Sequence, residues 1–494
     1  MNPFKKLAGD TAIYGVSSIV GRFLNWWLMP LYVMIFTPDV YGIVTNLYSY
    51  VAFFMVLLTY GMETGFFRFA SKSTEPDKVY STSLISLFIS SFVFILIVVI
   101  FNPYLAELIN YSDHSEYILW LAIILAIDAV TAIPFAQLRL KNRPIKFAFI
   151  KLVNIGANIS FNLFFLLLCP KLAQNSDSFI HAIYSPEIGV GYVFISNLFA
   201  SIITLVMLLP NMLKLSFQFD KSLLIKILNY SFPILIVGLA GVLILNIDKI
   251  LIPFLIPEDQ NPMEQLGIYG AGVKIAVLMN MFIQAFRYAF EPFFFSQAKA
   301  KDDKNMHANI MKYFVIFGLL IFLGMVLYID LIRLLGWKPQ YYESFTIVPV
   351  ILLANLFFGI YFALSMWYKL TDMTRYGAYI SVVGAVVTIT LNVLLIPVYG
   401  YKGSAFALLI CFFGMMVISY FFGQKYYPIP YNLKRIFTYF FIAAIIYIIS
   451  RYTVTFTSNL KYSANTLLFF TFIISIYMLE KHELQSLFKL NKKK

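Results

Sequence analysis

The chain has 494 residues, of which 61% are apolar, 18% aromatic and 12% charged. Soluble domains carry about 45–50% apolar and about 25% charged residues, so this composition excludes that class. The formal charge of +13 would suggest nucleic acid as the partner of a soluble protein, but here it reflects basic loops on one side of a membrane, and we expect no nucleic-acid partner. Two cysteines, Cys169 and Cys411, give no disulfide framework or metal cluster, and we expect neither a metal nor another cofactor.

Apolar runs long enough to cross a bilayer recur along the whole chain. They predict an all-α polytopic membrane protein with about fourteen membrane-spanning helices. The predicted spans are 11–36, 40–69, 80–102, 116–138, 145–168, 188–212, 227–256, 265–296, 309–332, 343–368, 376–398, 401–423, 434–452 and 463–480.

The basic residues set the predicted orientation. The ends and the loops on their side carry 27 Lys and Arg residues, and the opposite loops carry six. This asymmetry predicts that both termini are cytoplasmic. The four remaining cations lie inside predicted spans: Arg22, Lys249, Lys274 and Arg287. The two lysines lie near span ends, where snorkelling to the interface is an alternative to a functional role.

Four acids are predicted to be buried within the spans: Glu63, Asp128, Asp248 and Glu291. They are candidates for ion coupling, with H⁺ or Na⁺ as the ion, or for counter-charges of an empty cavity. Asp248 and Lys249 are adjacent, and consecutive helical residues point in different directions, so we expect them not to pair. A stripe of Asn154, Asn158 and Asn162 on the fifth span favours interhelical hydrogen bonding.

The eighth span carries the strongest polar stripe. Its members fall at i, i+4, i+7, i+8 and i+11, on one side of a helix: Asn280, Gln284, Arg287, Tyr288 and Glu291. A charge at mid-bilayer costs about 2.5–3.5 kcal/mol, so the stripe should face protein or water. One interpretation is an Arg287–Glu291 pair that only joins helices, and the other is the wall of a hydrated substrate path.

The same stretch matches an earlier one at an offset of 228 residues. The offset superposes Tyr41-Gly42 on Tyr269-Gly270, Tyr60 on Tyr288, Glu63 on Glu291, and Phe66-Phe67 on Phe294-Phe295. It joins the second span to the eighth, so both copies share one orientation. The repeat predicts two six-helix bundles, 1–212 and 213–424, related by a pseudo-two-fold axis, with 425–494 forming two additional helices and a basic tail.

Several short motifs together resemble a known family. They are Ala12-Ile13-Tyr14-Gly15, Met29-Pro30-Leu31-Tyr32, Tyr41-Gly42, Gly61 with Arg68, Asn246-Ile247-Asp248-Lys249-Ile250, Gly267-Ile268-Tyr269-Gly270 and Glu291-Pro292-Phe293. In order and spacing they resemble the polysaccharide-export and O-antigen flippase branch of the multidrug/oligosaccharidyl-lipid/polysaccharide (MOP) exporter superfamily, with its MATE-like fold. Glu291 stands where many relatives have tryptophan, so its role is not inherited from them.

The resemblance implies a flippase, not an enzyme. Such a protein would carry an undecaprenyl-pyrophosphate-linked oligosaccharide across the bacterial inner membrane by alternating access. Membrane lipids would surround it, and a polysaccharide polymerase and glycosyltransferases would be its functional partners.

The residues suggest how the head group would be held. A pyrophosphate needs cations in a partly dehydrated cavity. We expect Arg22 and Arg287 to bind it, with Lys249 and Lys274 assisting. Asn25 and Gln284 would hydrogen-bond phosphate or sugar, and Tyr60 and Tyr288 would stack on sugar rings.

Three other functions compete with this one. A MATE-type multidrug or cation exporter would have mainly acids in its cavity, whereas the acids and the bases predicted to be buried within the spans here number four each. A membrane glycosyltransferase or polymerase would need a larger outer loop than this chain has. A scramblase without glycan specificity would move unglycosylated carrier lipid.

Overall fold

The structure is a computed structural model that describes residues 20–21, 23–174, 179–213, 218–298, 304–455 and 457–491. Within these residues the regular secondary structure is helical, without strands. Thirteen described helices are long and apolar enough to cross a membrane, which agrees with the predicted all-α polytopic fold. The first predicted span lies partly outside the described residues, and its described part includes a shorter apolar helix, Phe23–Ile35.

The chain divides into two compact units. The first unit comprises Met1–Gly270 and Thr388–Gly400. Its described helices are α1 (Leu28–Ile35), α2 (Pro38–Thr59), α3 (Met62–Ala70), α4 (Pro76–Leu108), α5 (Ser115–Leu140), α6 (Pro144–Leu163), α7 (Gly191–Leu213) and α8 (Lys221–Leu255), with the start of α9 (Pro262–Ala298).

The second unit comprises Ala271–Val387 and Tyr401–Lys494. It contains the remainder of α9 and most of the later helices: α10 (Lys304–Leu327), α11 (Val348–Leu364), α12 (Met366–Leu370), α13 (Arg375–Tyr399), α14 (Tyr401–Tyr426), α15 (Leu433–Tyr452) and α16 (Ser458–Asn491). The bundle boundaries at 212 and 424 that the repeat suggests stay a prediction.

The helix starts follow from local sequence. Helices α2, α4 and α6 each begin with proline, whose fixed φ suits the first helical position. Asp220 caps α8 by accepting a hydrogen bond from the Leu223 amide at 3.0 Å, and it also pairs with Lys78 at 2.9 Å. The Lys78 ammonium and the capping donors hold the pKa of the Asp220 carboxyl well below its usual range.

The second predicted span is broken, although we expected one continuous helix over 40–69. Helix α2 ends at Thr59, and the next two residues are left-handed, with φ of 34° at Tyr60 and 71° at Gly61. A side chain at Gly61 would meet the Ser231 carbonyl oxygen at 2.9 Å, so the close approach of α8 also requires glycine. The break puts Glu63 on the separate short helix α3.

The Tyr-Gly motifs of the repeat have a packing role in the first unit. A Cβ added at Gly267 would lie 1.7 Å from the Pro38 carbonyl oxygen, and one at Gly42 would lie 2.2 Å from that of Met263. Gly270 likewise packs on Thr45. The glycines therefore allow the N-terminal ends of α2 and α9 to touch backbone to backbone.

The last long helix, α16, is bonded at both of its ends to α10 or to the segment that follows α10, and α15 joins it at one of them. The Glu480 carboxylate on α16 is fully buried and bonds Lys312 of α10 and Arg435 of α15, each at 2.6 Å, as well as the Tyr439 hydroxyl. At the other end Lys461 pairs with Asp330, and the Asn465 amide donates to the Leu327 carbonyl at 2.6 Å. Helices α15 and α16 are thus packed parts of the second unit.

We expect Glu480→Gln to destabilise the protein by about 3–5 kcal/mol, because it removes the buried carboxylate that the cations Lys312 and Arg435 share. The measurement is thermal unfolding of the purified protein in detergent. The matched control is Glu343→Gln, which removes a half-exposed pair with Lys402 and should cost less than about 1 kcal/mol. Equal losses in the two variants would contradict a buried charge cluster at Glu480.

Candidate functional site

A polar cavity of about 400 Å³ lies inside the first unit, enclosed by α2, α3, α5, α6 and α7. Its wall carries two acids, Glu63 and Asp128, and two bases, Arg139 and Lys151. The remaining polar side chains are amides and hydroxyls: Thr131, Asn154, Asn197, Ser201 and Thr204. The cavity therefore has balanced formal charge and space for water.

The negative charge of Glu63 in this cavity is balanced by a neighbouring cation. Its carboxylate pairs with the Arg139 guanidinium, which joins α3 to α5. That guanidinium also lies 5.1 Å from the ring centroid of Phe67 and 5.8 Å from that of Phe147. Such contacts favour a fixed, permanently charged pair. Glu63 consequently serves first as the counter-charge of Arg139.

Asp128 lies deeper along the same helix. It precedes the end of α5 at Leu140 by twelve residues, which is about 18 Å of helix rise. Its carboxylate accepts a hydrogen bond from the Ser201 hydroxyl at 2.9 Å. In the described part of the chain it forms no ion pair. Asp128 is therefore the acid of this cavity whose charge is balanced only at a distance.

Lys151 supplies the balancing charge. Its ammonium sits 4.2 Å from the ring centroid of Phe135 and faces the same cavity as Asp128. One turn along α6, the Asn154 amide donates to the Ala200 carbonyl at 3.0 Å and to the Thr204 hydroxyl at 2.9 Å. Asn154 therefore makes the interhelical hydrogen bonds predicted for the asparagine stripe.

A second buried cluster in the first unit surrounds Asp248. One carboxylate oxygen accepts from the Lys249 ammonium at 3.0 Å, and the other accepts from the Tyr269 hydroxyl. The Lys249 ammonium also donates to the Leu245 carbonyl. The expectation that Asp248 and Lys249 do not pair was wrong, because the long lysine side chain folds back along its own helix. Buried in this way, Lys249 does not snorkel.

The same cluster connects three parts of the fold. The Asn46 amide of α2 donates to the Lys249 carbonyl at 2.8 Å, and its oxygen accepts from the Tyr111 hydroxyl at 3.1 Å. Asp248, an ion-coupling candidate, thus already has a cation and a hydroxyl as partners, and its environment differs from that of Asp128.

In the second unit the polar stripe of α9 is partly exposed. Asn280, Gln284 and Arg287 are half-buried, whereas Met279 and Ile283 on the adjoining face are buried. Tyr288 is 47% exposed.

The cation of this stripe has an aromatic neighbour. The Arg287 guanidinium lies 3.5 Å from the ring centroid of Phe362, and the Lys369 ammonium lies 5.9 Å from the same centroid. Two cations therefore share one aromatic ring.

The structure describes three further predicted site residues. Asn25 and Lys274 are exposed. The ring of Tyr60 is predicted to stack on sugar, and its hydroxyl lies 2.7 Å from that of Ser86. Arg22 and the side chain of Glu291 lie outside the described residues.

Three further cations belong to the clusters although the sequence did not predict them as site residues: Arg139, Lys151 and Lys369. A signal for two of them was present in the spacing. Arg139 follows Asp128 by eleven residues, and Lys151 precedes Asn154 by three, so each lies on the same helical face as a polar neighbour. Lys369 had no such signal, because its link to Arg287 runs through Phe362.

Comparisons with known proteins agree with this architecture. The family model described as "Polysaccharide biosynthesis protein" matches residues 7–297. No curated protein matches the chain. Among solved structures, the lipid II flippase MurJ in an inward closed conformation is similar with a TM-score of 0.72, at 15% identity, over 94% of this chain and 98% of that chain.

Two MATE transporters also share the fold. An inward-facing multidrug resistance MATE family transporter of the MOP superfamily gives a TM-score of 0.65 at 11% identity, covering 84% of this chain and 94% of its own. A Vibrio cholerae MATE transporter variant gives 0.57 at 12% identity, covering 85% and 96%.

The Asp248 cluster makes a prediction that a double-mutant cycle tests. Asp248→Asn alone should lower the free energy of unfolding by about 3–5 kcal/mol, because the Lys249 ammonium loses its buried counter-charge. Adding Lys249→Met removes the stranded charge and should recover much of that loss. The measurement is thermal unfolding in detergent, and additive losses would contradict a buried pair.

Proposed function

Because this chain belongs to the polysaccharide biosynthesis protein family, we propose that it is a flippase for an undecaprenyl-pyrophosphate-linked oligosaccharide, the repeat unit of an O-antigen, capsule or exopolysaccharide. The observation that carries the proposal is the family match over residues 7–297, on a chain whose fold resembles that of the lipid II flippase MurJ. Both point to a substrate with a lipid tail and a polar head.

In this proposal the pyrophosphate is held by cations at the polar side of α9. Arg287 rests on Phe362 beside Lys369, where cation–π contacts contribute about 0.5–2 kcal/mol. A phosphate group offers the Arg287 guanidinium short, charge-assisted hydrogen bonds, which are stronger than its contact with the ring. Arg287 and Lys369 would therefore turn from the ring towards a bound phosphate. Arg22 of the first span is the proposed partner of Arg287, with Lys274, Asn25 and Gln284 as further donors.

The sugar contacts are assigned to the more accessible tyrosine. Tyr288 exposes its ring, whereas Tyr60 is held at the break between α2 and α3 and hydrogen-bonded to Ser86. Lys249 is no longer part of the proposed head-group site, because Asp248 neutralises it inside the first unit.

We assign ion coupling to Asp128. Among the candidates whose side chains the structure describes, Glu63 and Asp248 each have a cation in contact. Asp128 instead accepts a hydrogen bond from the Ser201 hydroxyl and shares its cavity with the more distant Lys151. A proton neutralises Asp128 without needing a shell of oxygen ligands, and the positive charge of Lys151 in the same cavity disfavours a metal cation there. The proposed coupling ion is therefore H⁺ and not Na⁺.

The location follows from the same proposal. The protein would lie in the bacterial inner membrane with both termini cytoplasmic, as the excess of basic residues on that side predicts. The glycosyltransferases that build the repeat unit and the polymerase that consumes it would act on either side of this step.

A multidrug or cation exporter is the second candidate, and the similarity to MATE transporters favours it. The two functions differ in their requirement for cations. A drug exporter of positively charged compounds should tolerate loss of Arg287, whereas the flippase should not.

We expect Arg287→Ala to lower glycan export about 10- to 100-fold, because a charged hydrogen bond contributes about 1.5–3 kcal/mol. Export is measured as surface glycan in a bacterial strain that lacks its own flippase, at matched membrane levels of the protein. The control is Arg375→Ala, an exposed arginine at the start of α13. Normal export by Arg287→Ala would remove this residue from the head-group site.

Asp128→Asn should abolish the acceleration of transport by a pH gradient while leaving the rate without a gradient intact. The amide keeps the hydrogen bond to Ser201 but takes up no proton. Flipping of a fluorescent lipid-linked oligosaccharide is followed in liposomes with and without the gradient. Asp77→Asn, at a largely exposed acid near Lys141, is the control. A variant at Asp128 that still responds to the gradient would contradict the assignment.

A further inference from the structure

The two ends of the polar cavity are built from different side chains. At one end lies the pair of Glu63 and Arg139, whose side chains are 44% and 32% exposed. At the other end the Asn197 amide donates to the Tyr48 hydroxyl at 3.1 Å. Phe194, nearly one turn beyond Asn197 on α7, is fully buried, and its ring centroid lies 5.8 Å from that of Tyr48. One end is therefore charged and half-exposed, and the other is covered by packed aromatic rings.

The charged end of the cavity lies where α5 ends. Arg139 is the last residue but one of that helix, which ends at Leu140. From there the cavity follows α5 inward to Asp128, and these eleven residues correspond to about 17 Å, compared with about 15 Å for half of the hydrocarbon core. In the predicted topology the end of α5 is cytoplasmic, because Lys141 and Arg143 follow it. The cavity thus extends through the inner half of the membrane.

A cation well inside the span indicates that water reaches this cavity. Lys151 lies seven residues after α6 begins at Pro144, which is about 10 Å of helix rise, and it is exposed. Its ammonium lies 4.2 Å from the ring centroid of Phe135, which also lines the cavity. An ammonium exposed to hydrocarbon would be costly, so the surface that Lys151 exposes belongs to the cavity. The volume of about 400 Å³ is also far above the ~10–15 Å³ that one water needs.

The pair at the charged end suits an entrance that water and small ions pass. A half-exposed ion pair separates at little cost, because water solvates both partners as they part. The opposite charges of Glu63 and Arg139 also leave the entrance without net charge, so it should admit small cations and anions alike. The contacts of the guanidinium with Phe67 and Phe147 keep Arg139 at this position.

We propose that the polar cavity is a water-filled half-channel that connects Asp128 to the cytoplasm, with the Glu63–Arg139 pair as its mouth. Through it Asp128 exchanges protons with the cytoplasm in this conformation, while Tyr48 and Phe194 separate it from the outer side. The inference rests on the proposed function for the coupling role of Asp128. The route itself depends only on the geometry of the first unit.

The test measures from which side of the membrane a cysteine in the cavity is reached. The reporter is Ala132→Cys, at a half-buried lining residue about one turn from Asp128. The matched control is Ala136→Cys, one turn nearer the end of α5 but fully buried outside the cavity lining. Both are made in the full chain with Cys169→Ala and Cys411→Ala. The probes are the anionic sulfonatoethyl and the cationic trimethylammonioethyl methanethiosulfonates, which do not cross membranes.

In inside-out vesicles both reagents should label Ala132→Cys about tenfold or more faster than Ala136→Cys, because a thiolate forms and reacts only where water reaches it. In right-side-out vesicles the labelling of Ala132→Cys should be slower by a similar factor. Faster labelling from the outer side, or none from either side, would overturn the half-channel. Asn154→Cys, at a half-buried lining residue of α6, repeats the measurement if Ala132→Cys does not reach the membrane.

Arg139→Ala tests the mouth. Removal of the guanidinium widens the entrance, so both reagents should label Ala132→Cys several times faster. Lys141→Ala, at an exposed base just beyond α5, is the control and should change neither rate. If Arg139→Ala speeds the cationic reagent and slows the anionic one, Arg139 acts only through its charge, and the pair is not the mouth.

Labelling needs no transport, so the half-channel and the proposed function can fail separately. Access from the cytoplasm in a protein that flips no glycolipid, or whose Asp128→Asn variant still responds to a pH gradient, would retain the half-channel and lose the proposed function or the coupling role. A gradient response that depends on Asp128, in a protein labelled only from the outer side, would retain the coupling role and overturn the half-channel.

Discussion

A charge inside a membrane has to be balanced nearby, because hydrocarbon offers it neither water nor hydrogen bonds. The described part of the chain meets this requirement by pairing charges within each unit. Glu63 pairs with Arg139 and Asp248 with Lys249 in the first unit. Glu480 holds Lys312 and Arg435 in the second. Two of these three clusters join different helices through the charges themselves, and hydrogen bonds to the Asp248 cluster join α2, α8 and α9, so balancing the charges also fixes the packing.

Asp128 departs from that pattern in a way that bears on function. Its carboxylate touches a hydroxyl, and its balancing charge stands across a polar cavity on Lys151. A tightly paired acid keeps its charge over a wide range of conditions, whereas an acid with a distant partner responds to a proton or to a change in the cavity. The cations also differ in what they contact. Lys249 pairs with its neighbouring acid, whereas Arg287 and Lys369 both lie near the ring of Phe362.

Helix α5 changes character within about one turn. Leu125 lines an apolar groove between α2, α4, α5 and α8, whereas Asp128 lines the polar cavity, as does Glu63 of α3 beyond the break at Tyr60-Gly61. Glu63 pairs with Arg139, and one packed layer separates the two compartments.

The sequence by itself determined the fold class and the membrane spans, because the length and polarity of an apolar run decide whether it crosses a bilayer and need no knowledge of its neighbours. It also predicted a repeat and located most charges inside the spans, and its motifs led to the family. The tertiary structure decided which charges meet. Arg139 lies 76 residues from Glu63, and Lys312 lies 168 from Glu480. Helical periodicity relates residues only a few turns apart, so such partners have no local signature. The sequence did not predict the pairing of Asp248 with Lys249 for a related reason. Spacing gives the direction in which a side chain leaves the helix, but not the path that a long, flexible side chain takes to reach a buried acid.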